Sequence, residues 1–593
     1  MKNRTITTGI ISLLVMTTAA GCGMAKSAGP EPGSISSSVN SRETGTTLSL
    51  SNSSANAPVT DTEVYEVEEC LADGALMAAG KAAYAAAPMP MAAYEEAPFC
   101  YEPDWNTEEY AFEEENPFQS VKNTPFSTFA ADVDTASYAN VRRMILSGEG
   151  VTPDAVRAEE MINYFRYDYA GPAPGEPFGV TTELAPCPWN EEAQLLLIGL
   201  QAEKPDTSEM PASNLVFLID VSGSMMDSNK LPLVKRSFLT LMETLSDDDR
   251  VTLITYADGE EILCEGVKGS EKANVMSLLE SLEAGGATDG QHALEMAYEA
   301  AEENFIGGGN NRIILATDGD FNVGITSEGD LTRYIKEKTD SGICLSVLGY
   351  GMGNYKDNKM EAIADNGNGN YYYIDDIAEA RKVLVEEAGG TLFTVAKDVK
   401  LQVEFNPAMV KGYRLIGYEN RTMAAEDFSD DTKDGGELGA GHQVTALYEV
   451  IPAGSDFPIP EVTSRYQTSE KDGPEQKEEK EIRNGSEALP ETGAEENKNN
   501  VNSGEWLTVN IRYKAPDGDT SELLVYPVDS TSFREEMSDN MSWAAGVAQT
   551  AMLLKDSTYA GTSSYEDVKT RLKDMAHDDY REEFLYLLKR LTR

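Results

Sequence analysis

The sequence predicts an α/β chain in which a mostly parallel sheet, covered by helices on both faces, is set within β-rich flanks. Two patterns carry this expectation. Across 203–390 short apolar runs of strand length alternate with helical patterns, as in a parallel sheet with crossover helices. After about Gly390 the hydrophobic period drops to two, as in strands with one buried face.

Taken in chain order, Lys2 and Arg4 precede an apolar stretch, Ile10 to Ala20, that ends in Ala19-Ala20-Gly21-Cys22. Charge, apolar core and small residues in that order make 1–21 a secretory signal peptide. The pattern resembles a bacterial lipoprotein signal, which implies that Cys22 becomes the lipidated, palmitate-bearing first residue. The chain would then be anchored by lipid at a membrane of the cell envelope, outside the cytoplasm. An ordinary signal cleaved nearby would leave Cys22 incidental. Residues 22–116 read as a disordered tether, with 15 Asp/Glu against the single basic Lys81 between Asp61 and Asn116. Such a composition cannot bury enough apolar surface to offset ordering.

An N-terminal α+β region, 117–202, follows. Phe126 to Asp134 reads as a strand, and a helix from about Ala136 carries Tyr138, Val141 and Ile145 on one face until Gly148 stops it. A second helix starts at Thr152-Pro153, cap then first-turn proline, and turns Val156, Met161, Ile162 and Phe165 inward. Val180 to Leu184 and Gln194 to Gln201 are strands.

In the sheet domain, 203–390, the strand runs are Leu215 to Val221, Arg250 to Tyr256, Ile262 to Val267, Arg312 to Thr317 and Ile343 to Tyr350. Val234, Phe238, Leu241 and Leu245 have helical spacing. In 391–530 Val399, Leu401, Val403 and Phe405 alternate with polar residues, as do Leu507, Val509, Ile511 and Tyr513. Ala446 to Ile451 and Leu523 to Tyr526 are further strands, and the charged stretch 466–503 reads as a disordered loop. Helices close the chain over 531–593: Asn540 to Leu554, one opened by the capping-box pattern Ser563-x-x-Glu566, and Tyr580 to Leu591. Strand content on both sides of the sheet domain predicts one sandwich-like framework, Val180 to Gln201 with Val399 to Tyr526, which the sheet domain interrupts.

Composition excludes several function classes. With 101 Asp+Glu against 48 Lys+Arg the formal charge is -53, the wrong sign for a nucleic-acid partner. Three histidines, His292, His442 and His577, are too few for multi-histidine zinc sites, so metal chemistry falls to oxygen ligands. Six cysteines do not make a disulfide scaffold. Cys264 and Cys344, in apolar runs, are expected as buried thiols, and a Cys70 to Cys100 bridge stays open. Beyond the signal, no stretch approaches the roughly 18 apolar residues of a membrane span.

Three pieces of the sheet domain place hydroxyls or carboxylates at strand tips. Asp220-Val-Ser222-Gly-Ser224 follows Leu215 to Ile219, Gly285-Gly-Ala-Thr288-Asp-Gly precedes a helix, and Asp318-Gly-Asp-Phe-Asn follows Arg312 to Thr317. Ligands on such sheets sit at the carboxyl ends of the strands. Two carboxylates and three hydroxyls there make an all-oxygen site suited to Mg²⁺.

Asp220-x-Ser222-x-Ser224, Thr288 and Asp318-Gly319 resemble the metal-ion-dependent adhesion site of Rossmann-like von Willebrand factor type A domains, over about Pro205 to Ala388. The resemblance implies that Ser222, Ser224 and Thr288 contact a divalent cation, Mg²⁺ or else Mn²⁺ or Ca²⁺, through their hydroxyls. Asp220 and Asp318 would hold it directly or through water, and one position would await an acidic side chain of a protein partner. Phe129 to Tyr138, Glu159 to Phe165, Tyr413 to Arg421 and Gly439 to Tyr448 look like the flanks of bacterial type A lipoproteins of the YfbK type.

Function is then expected to be metal-dependent protein–protein interaction or adhesion, without catalysis or a small-molecule substrate, and with membrane contact through the lipid alone. Two alternatives stay open: a metal-dependent hydrolase, with Asp289 and Asp320 as candidate bases, and a structural envelope protein with an empty site. A serine hydrolase fits poorly. Val221-Ser-Gly-Ser-Met225 is not G-x-S-x-G, and His292 reads as a helix-surface or packing residue. Leu489-Pro-Glu-Thr-Gly493 matches a sortase signal but lacks the apolar span and basic tail that must follow it. Asp430 to Gly435 lacks a carboxylate at the twelfth position of a calcium loop and reads as a turn.

Overall fold

The described part of this computed structural model comprises residues 107–131, 134–204, 211–288, 292–319, 328–339, 341–433, 435–461, 504–516, 518 and 520–592. The expected signal, Cys22, nearly all of the tether, Cys70, Cys100, Asp289, Asp320, the 466–503 loop and Leu489 to Gly493 lie outside it.

Chain order is as follows. Strands β1 (Gln119–Ser120) and β2 (Phe126–Ala130) precede helices α1 (Ala136–Ser147) and α2 (Ala158–Asn163), then β3 (Phe178–Pro186) and β4 (Gln194–Ala202). The sheet domain runs β5 (Ser213–Asp220), α3 (Leu231–Thr244), β6 (Arg250–Tyr256), β7 (Glu260–Lys268), α4 (Lys272–Ser281), α5 (Ala293–Glu303) and β8 (Asn310–Thr317). It continues with α6 (Glu328–Thr339), β9 (Cys344–Tyr350), α7 (Asp357–Asn366), β10 (Tyr371–Ile374), α8 (Ile377–Arg381) and α9 (Ala388–Leu392). Beyond it lie β11 (Thr394–Phe405), β12 (Val410–Ile416), β13 (Thr422–Met423), β14 (Gly436–Gly439), β15 (Gln443–Pro452), β16 (Glu505–Lys514) and β17 (Ser521–Asp529). Helices α10 (Asp539–Leu554), α11 (Tyr565–Leu572) and α12 (Asp579–Leu591) close the fold.

Strand order in the sheet domain is β10-β9-β8-β5-β6-β7, parallel throughout except for the edge strand β7. Alternation along β5 explains the two-faced core. Val216 and Leu218 pack with Leu294, Ala297, Ile335 and Ile363. Leu215, Phe217 and Ile219 face Phe238, Leu241, Val275 and Leu279 on the other side. Sequence reading missed β10, whose Tyr371-Tyr-Tyr-Ile374 is short but wholly buried.

The flanks form the expected framework. One sheet is ordered β1-β12-β15-β4-β3 and the other β13-β2-β11-β16-β17, so both draw strands from either side of the sheet domain. Between them lie Phe129, Leu196, Ile198, Leu401, Val403, Tyr448, Val509 and Ile511. The sheet domain enters after β4 and leaves at β11, strands of opposite sheets. Helices α1, α2, α10, α11 and α12 cover the outer face of the first sheet, where Leu195, Leu197 and Leu447 meet Ile162, Phe165, Trp543 and Leu588.

Five local expectations change. Residues 107–116, expected as the end of the disordered tether, are docked by hydrogen bonds such as Asn116 Nδ2 to Gly417 O at 2.8 Å, because their backbone and side chains find partners in the folded body. The second helix is broken: a 3₁₀ turn, Pro153–Ala155, ends before α2 begins at Ala158. Ser137 causes the break, because its hydroxyl donates to Ala155 O at 2.7 Å and accepts from Arg157 N at 2.9 Å, competing with helical pairing. The cap of α11 is Ser564, which accepts from Asp567 N, while Ser563 accepts from Gln549 Nε2. Cys264 and Cys344 are half-buried, one on the edge strand and one at the first residue of β9, whereas Cys187 is buried. Helix α1 is buried on every side from Ala136 to Ile145, wedged between sheet domain and closing helices.

Candidate functional site

Strands β5 and β8 are central neighbours, and their parallel register brings Asp220 and Asp318 to one edge of the sheet. Both carboxylates are fully buried. Asp220 Oδ1 accepts from Ser222 N at 2.9 Å, while Oδ2 accepts from the hydroxyls of Tyr256 and Thr317, each at 3.2 Å. Tyr256 ends β6 and is the register partner of Asp220. Asp318 Oδ2 instead accepts from the buried ammonium of Lys230 at 2.9 Å.

The two carboxyl groups differ accordingly. Burial pushes the Asp220 carboxyl up to about 6 against the opposing Ser222 donors, with Asp318 adding repulsion. Burial also raises Asp318, but hydrogen bonds and charge from Lys230, with donors on Asn354 and Ser224, hold it below the usual carboxylate value.

The hydroxyls converge on the same place. Ser222 Oγ and Ser224 Oγ are 3.1 Å apart, on a turn leading into a 3₁₀ segment, Gly223–Met226. The Thr288 loop docks by its backbone: Gly223 N donates to Gly286 O at 3.0 Å and Gly285 N to Val221 O at 2.8 Å. Asp258 clamps that loop from β6's far end, accepting from Ala287 N at 2.5 Å. Gly286 is required there, since at φ +86 a Cβ would lie 2.7 Å from the Asp258 carboxylate. Thr288 itself is half-buried, two residues beyond the docked carbonyl.

The structure therefore brings Asp220, Ser222, Ser224 and Asp318 into one hydrogen-bonded cluster and seats the Thr288 loop against it. Buried carboxylates with converging hydroxyls and, among the described residues, one ammonium for two carboxylates fit a hard divalent cation. Sequence reading missed Tyr256, Thr317, Lys230, Asp258 and Asn354. Thr317 and Tyr256 end strands beside the motif, a signal that strand alignment could have supplied. Lys230, Asp258 and Asn354 carried none. His292 is exposed at the N-cap of α5, where its backbone N–H donates to Glu260 Oε1 at 2.7 Å. Asp430 makes a plain turn, its Oδ1 accepting from Thr432 N at 2.9 Å and Oγ1 at 2.7 Å.

Known families match along the chain. The family "von Willebrand factor type A domain" matches 214–386, "von Willebrand factor" matches 104–197, and "Uncharacterized protein YfbK, C-terminal" matches 390–486 and 483–593. The protein YfbK of Escherichia coli (strain K12) is 40% identical over 492 residues, covering 81% of this chain and 80% of that one. Protein sll0103 of Synechocystis is 30% identical over 191 residues, 31% of this chain and 43% of that one. A solved von Willebrand factor type A structure from Catenulispora acidiphila aligns with 72% of this chain and 91% of its own, at 16% identity and a TM-score of 0.37. Extent and identity of the Escherichia coli match, together with the type A fold, place this chain in the YfbK family of von Willebrand factor type A proteins.

Proposed function

We propose that this chain is a lipid-anchored envelope protein that holds a divalent cation on Asp220, Ser222, Ser224, Thr288 and Asp318 and uses it to bind another protein. The observation that carries this reading is the pair of fully buried carboxylates beside two hydroxyls 3.1 Å apart, with the Lys230 ammonium bonded to Asp318 alone of the two. A bound Mg²⁺ or Mn²⁺ would supply a Lewis-acidic position for a partner's Asp or Glu. Type A family membership supports a protein-interaction or adhesion role.

The chain's own residues set the geometry. Tyr256 and Thr317 fix the Asp220 carboxylate from behind, Lys230 fixes Asp318, and Asp258 keeps the Thr288 loop closed over Gly223. A binding role is favoured over catalysis because Ser222 Oγ is paired with Ser224 Oγ and His292 lies exposed at a helix cap. At a net -53 the chain favours a partner that is neutral or basic overall but presents one carboxylate.

Thermal unfolding during Mg²⁺ or Mn²⁺ titration tests the site. A cation that binds only the folded state adds RT ln(1 + [L]/Kd), about 2.7 kcal/mol at a hundredfold excess over Kd. Wild type is expected to show that rise and Asp220→Ala to lose it. No rise in wild type, or an equal rise in the variant, refutes the metal site. Capture of envelope proteins by wild type against Thr288→Ala, with and without chelator, tests whether binding runs through the cation.

A further inference from the structure

Lys230 lies outside the motif, yet its ammonium reaches into the site. It is 2.9 Å from Asp318 Oδ2 and 3.1 Å from Asn354 Oδ1, and the side chain is buried. Its stem is confined by the loop after β9. Gly351 sits there at φ +80, and a Cβ built on it would lie 2.4 Å from Lys230 Cε. The backbone is fixed as well: Lys230 N donates to Asp227 O at 3.0 Å, and Lys230 O accepts from Leu233 N and Val234 N at 2.8 and 2.9 Å.

The loop cannot easily follow a moving lysine, because it is held from behind. Thr107 N donates to Gly353 O at 2.6 Å, Gly353 N to Glu108 Oε1 at 2.8 Å, and Glu109 N to Tyr355 O at 3.0 Å. Arg143 in turn pairs with Glu108 at 2.9 Å. The ammonium is thus built into the wall of the site, on a side chain only 6% exposed.

We propose that Lys230 is a resident counter-cation that competes with a divalent ion for Asp318 and so sets the affinity of the site. This inference rests on the metal-site reading above. Among the described residues Asp220 takes hydroxyl and backbone donors, whereas Asp318 takes a full positive charge. With no divalent ion present, that charge neutralises one of two buried carboxylates and lowers the cost of burying them together. A divalent ion approaching Asp318 meets a like charge already bonded to the same carboxylate, in surroundings where such repulsion is weakly screened. Lys230 is therefore a positioning residue for Asp318, and the competition tunes the site towards weak, exchangeable binding.

Mn²⁺ binding to the full chain, measured by isothermal titration calorimetry, tests this with Lys230→Met, Lys230→Gln and Lys230→Arg. Met and Gln are expected to bind Mn²⁺ about tenfold or more tighter than wild type, tenfold being about 1.4 kcal/mol. Arg keeps the charge and is expected to stay within about threefold of wild type. The metal-free Met protein is expected to melt earlier than wild type, because Asp318 loses its partner. Structural damage alone would weaken binding, the opposite sign. Should Lys230→Met not fold, Lys230→Gln carries the comparison, since its amide can still donate to Asp318. Equal or weaker binding by the uncharged variants, with wild type binding and Asp220→Ala not, overturns the counter-cation inference and leaves the metal site standing. Absence of binding in wild type overturns both.

Discussion

Replacing Arg142 with methionine is expected to cost about 3–5 kcal/mol, the penalty of leaving buried carboxylates without their partner. Arg142 is 3% exposed and gathers four groups, from the end of α2, the segment from β10 into α8, and α12. Its Nε donates to Asp375 Oδ2 at 2.9 Å and Nη2 to Asp375 Oδ1, Nη2 also to Glu379 Oε2 at 2.9 Å, and Nη1 to Tyr164 Oη at 2.9 Å and Glu583 Oε1 at 3.2 Å. Methionine fills the space of the stem but leaves Asp375 and Glu379 enclosed without their cationic partner, at 10% and 1% exposure.

Burial already pushes the Asp375 carboxyl up to about 6 against the pull of Arg142, and removing the guanidinium raises it further. An acid whose folded pKa exceeds its unfolded value, about 3.9 for Asp, contributes stability below that value and loses it as pH rises through the folded pKa. The deficit of Arg142→Met is therefore expected to be small near pH 4 and complete by about pH 8. Urea unfolding read through the fluorescence of buried Trp543, 5.4 Å from Phe165 in the helical core, measures it. A deficit below about 1 kcal/mol at pH 8, or one that does not shrink at pH 4, would show that the guanidinium does not carry these charges.

Three further outcomes are expected. Gly319→Ala forces a Cβ at φ +99 to within 2.7 Å of Lys356 N. Calorimetry should show a loss of about 1–3 kcal/mol, and Mn²⁺ binding should weaken because Asp318 is its neighbour. Asp258→Ala frees Ala287 N and the Thr288 loop, so it should lower Mn²⁺ affinity severalfold while stability changes by less than about 1 kcal/mol. If affinity is unchanged, the clamp has no role. Burial brings the His442 imidazole down to about 4, with Glu387 opposing and Arg166 and Lys382 assisting. A base depressed in the fold contributes stability above its unfolded value of about 6.5 and loses it as pH falls towards 4. Melting temperatures at pH 7.5 and 4.5 should then differ less in His442→Gln than in wild type, and an identical slope would refute the assignment.

Much of this architecture was legible because it is local. Period two along Val399 to Phe405 and Leu507 to Tyr513 marks residues that do turn into the sandwich core. Gly148 does stop α1, in the left-handed conformation that its position demands. The motif carboxylates and hydroxyls were legible for the same reason, since Asp220 and Asp318 directly follow apolar strand runs whose ends must share an edge of a parallel sheet.

Legibility stops where a side chain's fate depends on what packs across from it. Arg142, Arg157 and Arg414 look like surface residues in the sequence but are buried, because carboxylates arrive from distant segments: Asp375, Asp357 and Glu449. Nor does spacing announce that Lys230 will meet a carboxylate 88 positions away. Periodicity and motif spacing are properties of neighbours along the chain, and they dictate which face is buried and which strand tips carry oxygen. Which charges meet inside is decided only when sheets and helices close, because burying an ion requires a partner in place. In this protein that closure sets Tyr256 and Thr317 behind Asp220 and an ammonium against Asp318.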